Sequence, residues 1–318
     1  MTRITKSTKS KTKVTLLAGG VGAARLLRGL ERVVRPENLT VIVNTGDDEE
    51  FFGLHVSPDL DTIVYTLADV APRVRGWGLR GDTFNAKGAL DRFFDTPWFQ
   101  LGDRDLATNL YRTHALSSGL TLTQVTAEIC KRFGVRHRVL PVTDDRVRTI
   151  VDTVSAGSLP FQDYLVKHRG RPRVSGVRYR GAGSTKPAPG VLDAITKADV
   201  VVVAPSNPFV SIGPILAIPG VRKALKSKRD VTVGVSPLIG GRAVKGPLAS
   251  MLRSMGMKTD SHAIADIYKG MMDCLVVAPG DAGRERKARP RLVEEDILIR
   301  GTESATRLAA FALAQILD

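Results

Sequence analysis

Between Asp47 and Asp61 the chain carries six carboxylates in fifteen residues: Asp47, Asp48, Glu49, Glu50, Asp59 and Asp61. On a protein of net charge +15, acids at this density repel one another unless they spread into water or share a cation. A hard divalent ion such as Mg²⁺ needs only one or two carboxylates and leaves its other positions to water and phosphate oxygens. A solvated acidic turn would account for the same residues. The cluster, however, follows Leu39-Thr40-Val41-Ile42-Val43, an apolar, β-branched run of the kind buried on both faces of a parallel sheet. Open α/β sheets bind ligands at the carboxyl ends of such strands.

Two further stretches have the residue types for phosphate. Val14-Thr15-Leu16-Leu17 leads into Ala18-Gly19-Gly20-Val21-Gly22 and then an amphipathic helix to about Val34, an order of strand, glycine turn and helix that lets backbone amides approach a phosphate. Gly20 and Gly22 satisfy two positions of the dinucleotide fingerprint, the third holds Arg25, and no Gly-Lys-Ser/Thr makes it a P-loop. A tight turn alone would also use these glycines. The third stretch, Pro205-Ser206-Asn207-Pro208-Phe209-Val210-Ser211-Ile212-Gly213-Pro214, offers hydroxyl, amide and glycine groups between a strand and a helix.

The elements that must position these groups follow an α/β rhythm. Buried strands are expected near Val14, Leu39, Val139, Val200, Val231 and Leu275, separated by helices. This predicts a three-layer, Rossmann-like fold with a mainly parallel sheet. A helix is expected from Thr62 to Val70, capped by Asp61 or Thr62, and the stretch from Gln100 to Asn109 enters another that runs to about Ser117. Residues from about 149 to 190 read as β segments and turns, a smaller β-rich insertion in one domain spanning 14–318. Its run from Lys167 to Lys186 holds seven Lys or Arg and no acid. Arg291 to Ile299 mixes charged and apolar positions. Phe93, Phe94, Trp98 and Phe99 could sandwich a flat ring or pack as ordinary core.

Composition bounds the rest. The 318 residues are 43% hydrophobic and 25% charged, enough for a full α/β core. No apolar stretch is long enough to span a membrane. Residues 1–13 carry five Lys or Arg and no acid and read as a disordered basic tail; subtracting them from +15 leaves +10 on the folded part. Such a field suits an anionic small molecule. Nucleic acid is disfavoured, because aromatics are only 5% and no recognised nucleic-acid-binding pattern is present. Cys130 and Cys274 lie far apart without metal-ligand spacing, which predicts a reducing cytoplasm.

Five motifs stand in one order: GGVGAAR at Gly19, NTGDD at Asn44, SPDLDT at Ser57, LGDRDLATN at Leu101 and PSNPFVSIGP at Pro205. Together they resemble the 2-phospho-L-lactate transferase family of coenzyme F-420 biosynthesis, from Val14 to the end of the chain. The resemblance implies transfer of a phospho-organic acid from its guanosine diphosphate adduct to the ribityl hydroxyl of 7,8-didemethyl-8-hydroxy-5-deazariboflavin, with Mg²⁺ and release of GMP. It further implies a homodimer. On that pattern Asp61 and Gln100 would contact the deazaflavin, and Asp47 and Asp61 would hold the metal, either one accepting the hydroxyl proton. Gly19, Gly20, Gly22, Ser206, Asn207 and Ser211 would hold the guanosine diphosphate portion. The family's His after LGDRDLAT is Asn109 here, and no role is assigned to it. Lactate, enolpyruvate and glycerate remain equal candidates for the acid. Two rivals stay open: a non-catalytic nucleotide or nucleotide-sugar binding regulator of a related family, and an NAD-dependent oxidoreductase, against which the missing third glycine and the acidic cluster argue.

Overall fold

The computed structural model describes residues 12–73, 76–94, 99–283 and 290–317. Most of the expected basic tail, Trp98, and the basic residues from Arg284 to Arg289 lie outside the described residues. The first half of the chain forms β1 (Val14–Ala18), α1 (Gly20–Val33), β2 (Leu39–Val43), β3 (Glu49–Phe51), β4 (Leu54–Val56), α2 (Pro58–Leu67), α3 (Asn85–Leu90), α4 (Asp103–Ser117), α5 (Leu122–Arg132) and β5 (Arg138–Pro141). A three-stranded antiparallel unit follows, β6 (Arg148–Thr153), β7 (Ser158–Pro160) and β8 (Val174–Arg180), in the order β7-β6-β8. The α/β rhythm then resumes with α6 (Val191–Thr196), β9 (Val200–Val203), α7 (Gly213–Ala217), α8 (Val221–Ser227) and β10 (Thr232–Val235). The last part contains β11 (Leu238–Ile239), β12 (Arg242–Ala243), α9 (Leu248–Ser254), α10 (Ser261–Ile267), β13 (Cys274–Val277), β14 (Arg291–Glu294) and α11 (Thr302–Leu317).

The main sheet has seven strands in the order β14-β13-β10-β9-β1-β2-β5, and every pairing in it is parallel. Side chains alternate across it as a pleat requires. Leu16, Val41, Val43, Val200 and Val202 join one core with α1, α2, α5 and α11. Leu17, Ile42, Val201 and Val203 join the other with α6, α7, α8 and α10. Both faces are therefore covered, which is why these strands read as continuous apolar runs. The antiparallel unit has its own small core, where Val151, Phe161, Tyr164 and Val174 meet Val210 and Met251.

Six of the seven parallel strands stand where the buried runs predict them. The seventh, β14, closes the edge beyond β13. Its outer residues Arg291 and Glu294 are exposed, as is usual for an edge strand guarded by charge. The helix expected from Thr62 starts at Pro58 instead: proline is pre-organised for the first helical position, and acids in the first turn favour the helix dipole. Asp59 and Asp61 thus belong to a helix rather than a loop. The buried Cys130 and Cys274 are free thiols. Among the described residues, no helix is long and apolar enough to cross a membrane.

Candidate functional site

From β1 the chain moves outward to β2 and β5, then returns to β9 on the other side of β1. The carboxyl ends of β1 and β9 therefore flank the topological switch point of the sheet, the crevice where such folds bind ligands. The glycine turn and the Pro205–Ser211 loop meet there. A Cβ on Gly19 would lie 2.8 Å from the Ser211 Cβ and 3.1 Å from Asp59 Oδ2, and one on Gly22 would strike the Pro205 carbonyl oxygen. No other residue type fits this approach. The Ser206 hydroxyl donates to the Gly19 carbonyl at 2.6 Å. Asn207 Oδ1 accepts from the amides of Phe209 and Val210 at 2.9 and 3.4 Å. From the insertion, the Tyr179 hydroxyl donates to the Phe209 carbonyl at 2.6 Å. Ser206 and Asn207 thus fix the loop itself, while Ser211 lies against the glycine turn. At the start of α1 neither an acid in the first turn nor a side-chain cap is present, so its positive end remains available to an anion. The Gly20 amide is the exception, donating to Asp59 Oδ1 at 2.8 Å.

One strand further along the same edge lies the acidic cluster. Asn44 organises it, donating from Nδ2 to Asp59 Oδ2 at 2.9 Å and accepting at Oδ1 from the Gly46 amide at 2.7 Å. Burial pushes Asp59 up to about 6, although Asn44 and Gly20 partly offset it. Asp47 is raised well above its ordinary value, first by burial and then by the charge of Asp59. Asp48 Oδ2 accepts from the Ser57 hydroxyl at 2.7 Å and lies 3.2 Å from His55 Nε2. Four polar atoms here, Asp47 Oδ1, Asp48 Oδ1, Thr45 Oγ1 and Thr149 Oγ1, are buried without a hydrogen-bond partner among the described residues. Orphaned acceptors beside mutually repelling acids call for an external cation or donor. No group of three or more His, Cys, Asp or Glu among the described residues could cage a metal by itself. That rules against a closed protein cage, whereas the donor set suits an ion such as Mg²⁺ that takes one or two carboxylates and completes its shell with water and phosphate.

Asp61 sits differently. Both its oxygens face Arg112, Oδ2 at 3.2 Å from Nη1 and Oδ1 in a second contact with Nη2. Arg112 is 2% exposed and Asp61 5%. Burial raises the Asp61 pKa and the Arg112 charge pulls it back. Arg112 Nη1 also donates to Asn109 Oδ1 at 2.6 Å, and Asn109 Nδ2 donates to the Asp105 carbonyl at 2.8 Å. The Tyr65 hydroxyl donates to Asp105 Oδ1 at 2.8 Å. Burial, then the Asp61 charge, push Asp105 up to about 7. Asn109 is therefore a neutral strut between Asp105 and Arg112. The rest of the LGDRDLATN motif acts as a clip: Asp103 accepts from Thr83, Asn85 and Ala86, and Asp82 accepts from the amides of Arg104 and Asp105. Gln100 is exposed. Its neighbour Phe99 is buried and stacks on Phe51 with ring centroids 3.6 Å apart, so that ring is core.

Sequence reasoning missed three basic groups. Arg112 lies 51 residues from its partner, with no local signal. Arg148, at the start of the insertion, pairs with Glu49, yet its Nε is buried without a partner among the described residues. Lys245 follows β12; desolvation and then the nearby charge of Arg25 hold its pKa below the ordinary value.

A family model described as 2-phospho-L-lactate transferase CofD matches residues 14–307. A Streptomyces griseus protein named phosphoenolpyruvate transferase is 44% identical over 276 residues, covering 85% of this chain and 87% of its own. A Mycolicibacterium smegmatis protein of the same name is 39% identical, over 89% and 94%. A 2-phospho-L-lactate transferase from Methanosarcina acetivorans is 37% identical, over 94% and 97%. Among solved structures, a UPF0052-family protein from Bacillus halodurans superposes with a TM-score of 0.62 at 18% identity, covering 95% of this chain and 100% of its own. That likeness concerns the fold alone.

Proposed function

The chain belongs to the 2-phospho-L-lactate transferase family, enzymes that move a phospho-organic acid from a nucleotide adduct, and we propose that it transfers an enolpyruvyl phosphate from its guanosine diphosphate adduct to the ribityl hydroxyl of 7,8-didemethyl-8-hydroxy-5-deazariboflavin, releasing GMP. The observation that carries this is the junction of the glycine turn and the Pro205–Ser211 loop at the switch point, one strand from buried carboxylates with orphaned oxygens. Enolpyruvate is chosen over lactate because the Streptomyces griseus relative named phosphoenolpyruvate transferase reaches 44% identity, against 37% for the Methanosarcina acetivorans relative named for phospholactate.

In this reading the guanosine diphosphate lies over the ends of β9 and β1, with the amino end of α1 facing its phosphates. Gly19 and Gly22 keep the backbone low enough for that approach, and Ser211 borders it. Arg25 and Lys245 hold the departing GMP phosphate. Asp47 and Asp48 would hold Mg²⁺, which when bound offsets the negative charge of the diphosphate. Asp61, expected from the resemblance as a second metal ligand and proton acceptor, has both oxygens committed to Arg112; we assign it to fixing the wall of the site instead. The acceptor's hydroxyl attacks the phosphorus that bears the organic acid, its proton passes to a carboxylate of the cluster, and the bond to GMP breaks. Little covalent chemistry is required of the protein, so positioning and electrostatics supply most of the rate.

The test is a mass-spectrometric turnover assay with purified protein, the deazaflavin, Mg²⁺ and the guanosine diphosphate adducts of enolpyruvate, lactate and glycerate. Production of GMP and the enolpyruvyl diester in preference to the others is expected. No transfer from any of the three adducts would defeat the reading.

A further inference from the structure

β5 is the last strand of the main sheet, paired with β2 on one side and with no strand on the other among the described residues. Along that free flank, between α5 and the turn at Pro189, opens a cavity of about 640 Å³, within the range of about 300–1,000 Å³ typical of small-molecule sites. It shares no residue with the acidic cluster, the glycine turn or the Pro205–Ser211 loop. Its walls come from α5, from the connection to β5 and from the first residues of β5, whereas the transferase cleft lies at the carboxyl ends of the strands.

What the cavity can hold follows from its lining. Lys131, Arg136, His137 and Arg138 contribute to it, and no Asp or Glu does among the described residues. Lys131, Arg136 and Arg138 are exposed, and none of them forms an ion pair among the described residues. Asp193, which feels the Arg138 charge, pairs instead with Lys197 at 2.8 Å. Cations gathered this way repel one another and attract an anion. His137 registers the crowding: its Nε2 is buried without a partner among the described residues, and desolvation, then the Arg136 charge, hold its pKa below the ordinary value. The rest of the wall is neutral, since Ala127, Val135 and Leu140 are apolar and burial pushes the Cys130 thiol up to about 12.

The backbone decides between a small molecule and an added strand. The Val142 amide donates to the Val43 carbonyl at 2.9 Å, and the polar backbone groups of successive residues point to opposite sides of a strand, so Val139 and Pro141 face the free flank. Pro141 has no N–H to offer there, which blunts this edge against another strand. The Val139 amide, at the cavity wall, remains as a donor for a ligand oxygen. The Arg138 guanidinium lies where a Cβ on Gly190 would stand, so the turn after Pro189 seats that charge beside the cavity.

We propose that this cavity binds a small multianion bearing carboxylate or phosphate groups, at a site separate from the transferase cleft.

Citrate and inorganic pyrophosphate serve as probes, titrated separately into the full chain by calorimetry at low ionic strength, where surface electrostatics is screened least, and without divalent cation. Arg136→Gln with Arg138→Gln removes two cations from the wall, and Ala127→Glu sets a carboxylate into it from the exposed face of α5. Arg171→Gln with Arg173→Gln removes two exposed cations from the insertion as a matched control. Wild type should bind at least one probe; the first double variant and Ala127→Glu should each raise its Kd at least about tenfold, and the control should stay within about threefold. Ala127→Lys should bind no more weakly than wild type. The two weakening variants lie on different segments, so with a melting curve for each, either one decides if the other does not fold. Wild type that binds neither probe overturns the site, as do folded cavity variants that bind like wild type. A control that loses as much as the cavity variants overturns it too, because the protein's overall charge would then account for the binding.

Discussion

Two groups of buried carboxylates stand side by side at the carboxyl edge of the sheet, and they are wired in opposite ways. Asp61 has both oxygens on a buried guanidinium, which Asn109 braces. Asp47 and Asp48 each keep an orphaned oxygen, and the charge of Asp59 further raises Asp47. A saturated buried pair is stable scaffolding, since its desolvation is offset within the protein. An unsaturated one waits for a partner from outside, because orphaned buried acceptors cost stability until something binds them. Both lie within one acidic stretch of sequence, yet only the second has the wiring of a reactive site.

The sharpest test of that contrast is Asp47→Asn. Turnover should fall by about 10²- to 10⁴-fold, the range for losing a group that acts directly on the reacting proton or charge. Without divalent cation the variant should melt no lower than wild type, since it removes a repelling charge. Near wild-type turnover in the assay with saturating Mg²⁺ would erase the distinction between the two groups.

Arg112→Met should do the reverse. Stripping the partner from a buried carboxylate costs about 3–5 kcal/mol, so chemical denaturation should register a large loss of stability. Asp61→Asn should also destabilise, because it leaves the guanidinium buried without its counter-charge. A sequence reading that places Asp61 in the chemistry expects that variant to stay as stable as wild type, so its denaturation midpoint separates the two views.

Why one pair was legible and the other not is a matter of range. The parallel strands announce themselves through local runs such as Val200–Val203, and the glycine turn and the acidic stretch through local spacing. The junction at the switch point needed the spatial strand order β9-β1-β2-β5, which the order of the runs along the chain does not give. Arg112 is one more basic residue on an amphipathic helix until the fold brings Asp61 to it across 51 positions. Strand β14 escaped because a charged edge strand has no buried run to show, and α2 was placed late because Asp59 and Asp61 look like loop acids until Pro58 is read as its first residue. The roles of Ser206 and Asn207 in holding their own loop needed coordinates, since the same residue types serve turns and ligands alike.

A pH series refines the contrast within the cluster. Asp59 has an ordinary value of 3.8 and a folded value of about 6, so the folded state holds this proton more tightly than the unfolded chain. The stability it contributes is fully present below about 3.8 and is lost as pH rises through about 6. In metal-free protein the melting temperature of wild type relative to Asp59→Asn should therefore decline across that window. A difference that stayed flat, or grew, would mean that the cluster is not strained by its own charge.

The smallest expected effect comes from a pair with equally good geometry and a different setting. In the insertion, Arg178 Nε and Nη2 each donate to Asp152 at 2.6 Å, a bidentate fork like that of Arg112. Here the side chains are 61% and 25% exposed. The hydrogen bonds from Arg178 lower Asp152 to about 2, so the pair contributes above 3.8 and is lost as pH falls through about 2. Water and salt screen it, and exposed forks of this kind contribute little. Arg178→Met should therefore move the melting temperature at neutral pH by no more than about 2 °C, shrinking further at high salt, where Arg112→Met gives a large loss. Equal losses from the two substitutions would show that geometry rather than burial sets the strength of these forks, and the reading of Asp61 as scaffold would lose its physical basis.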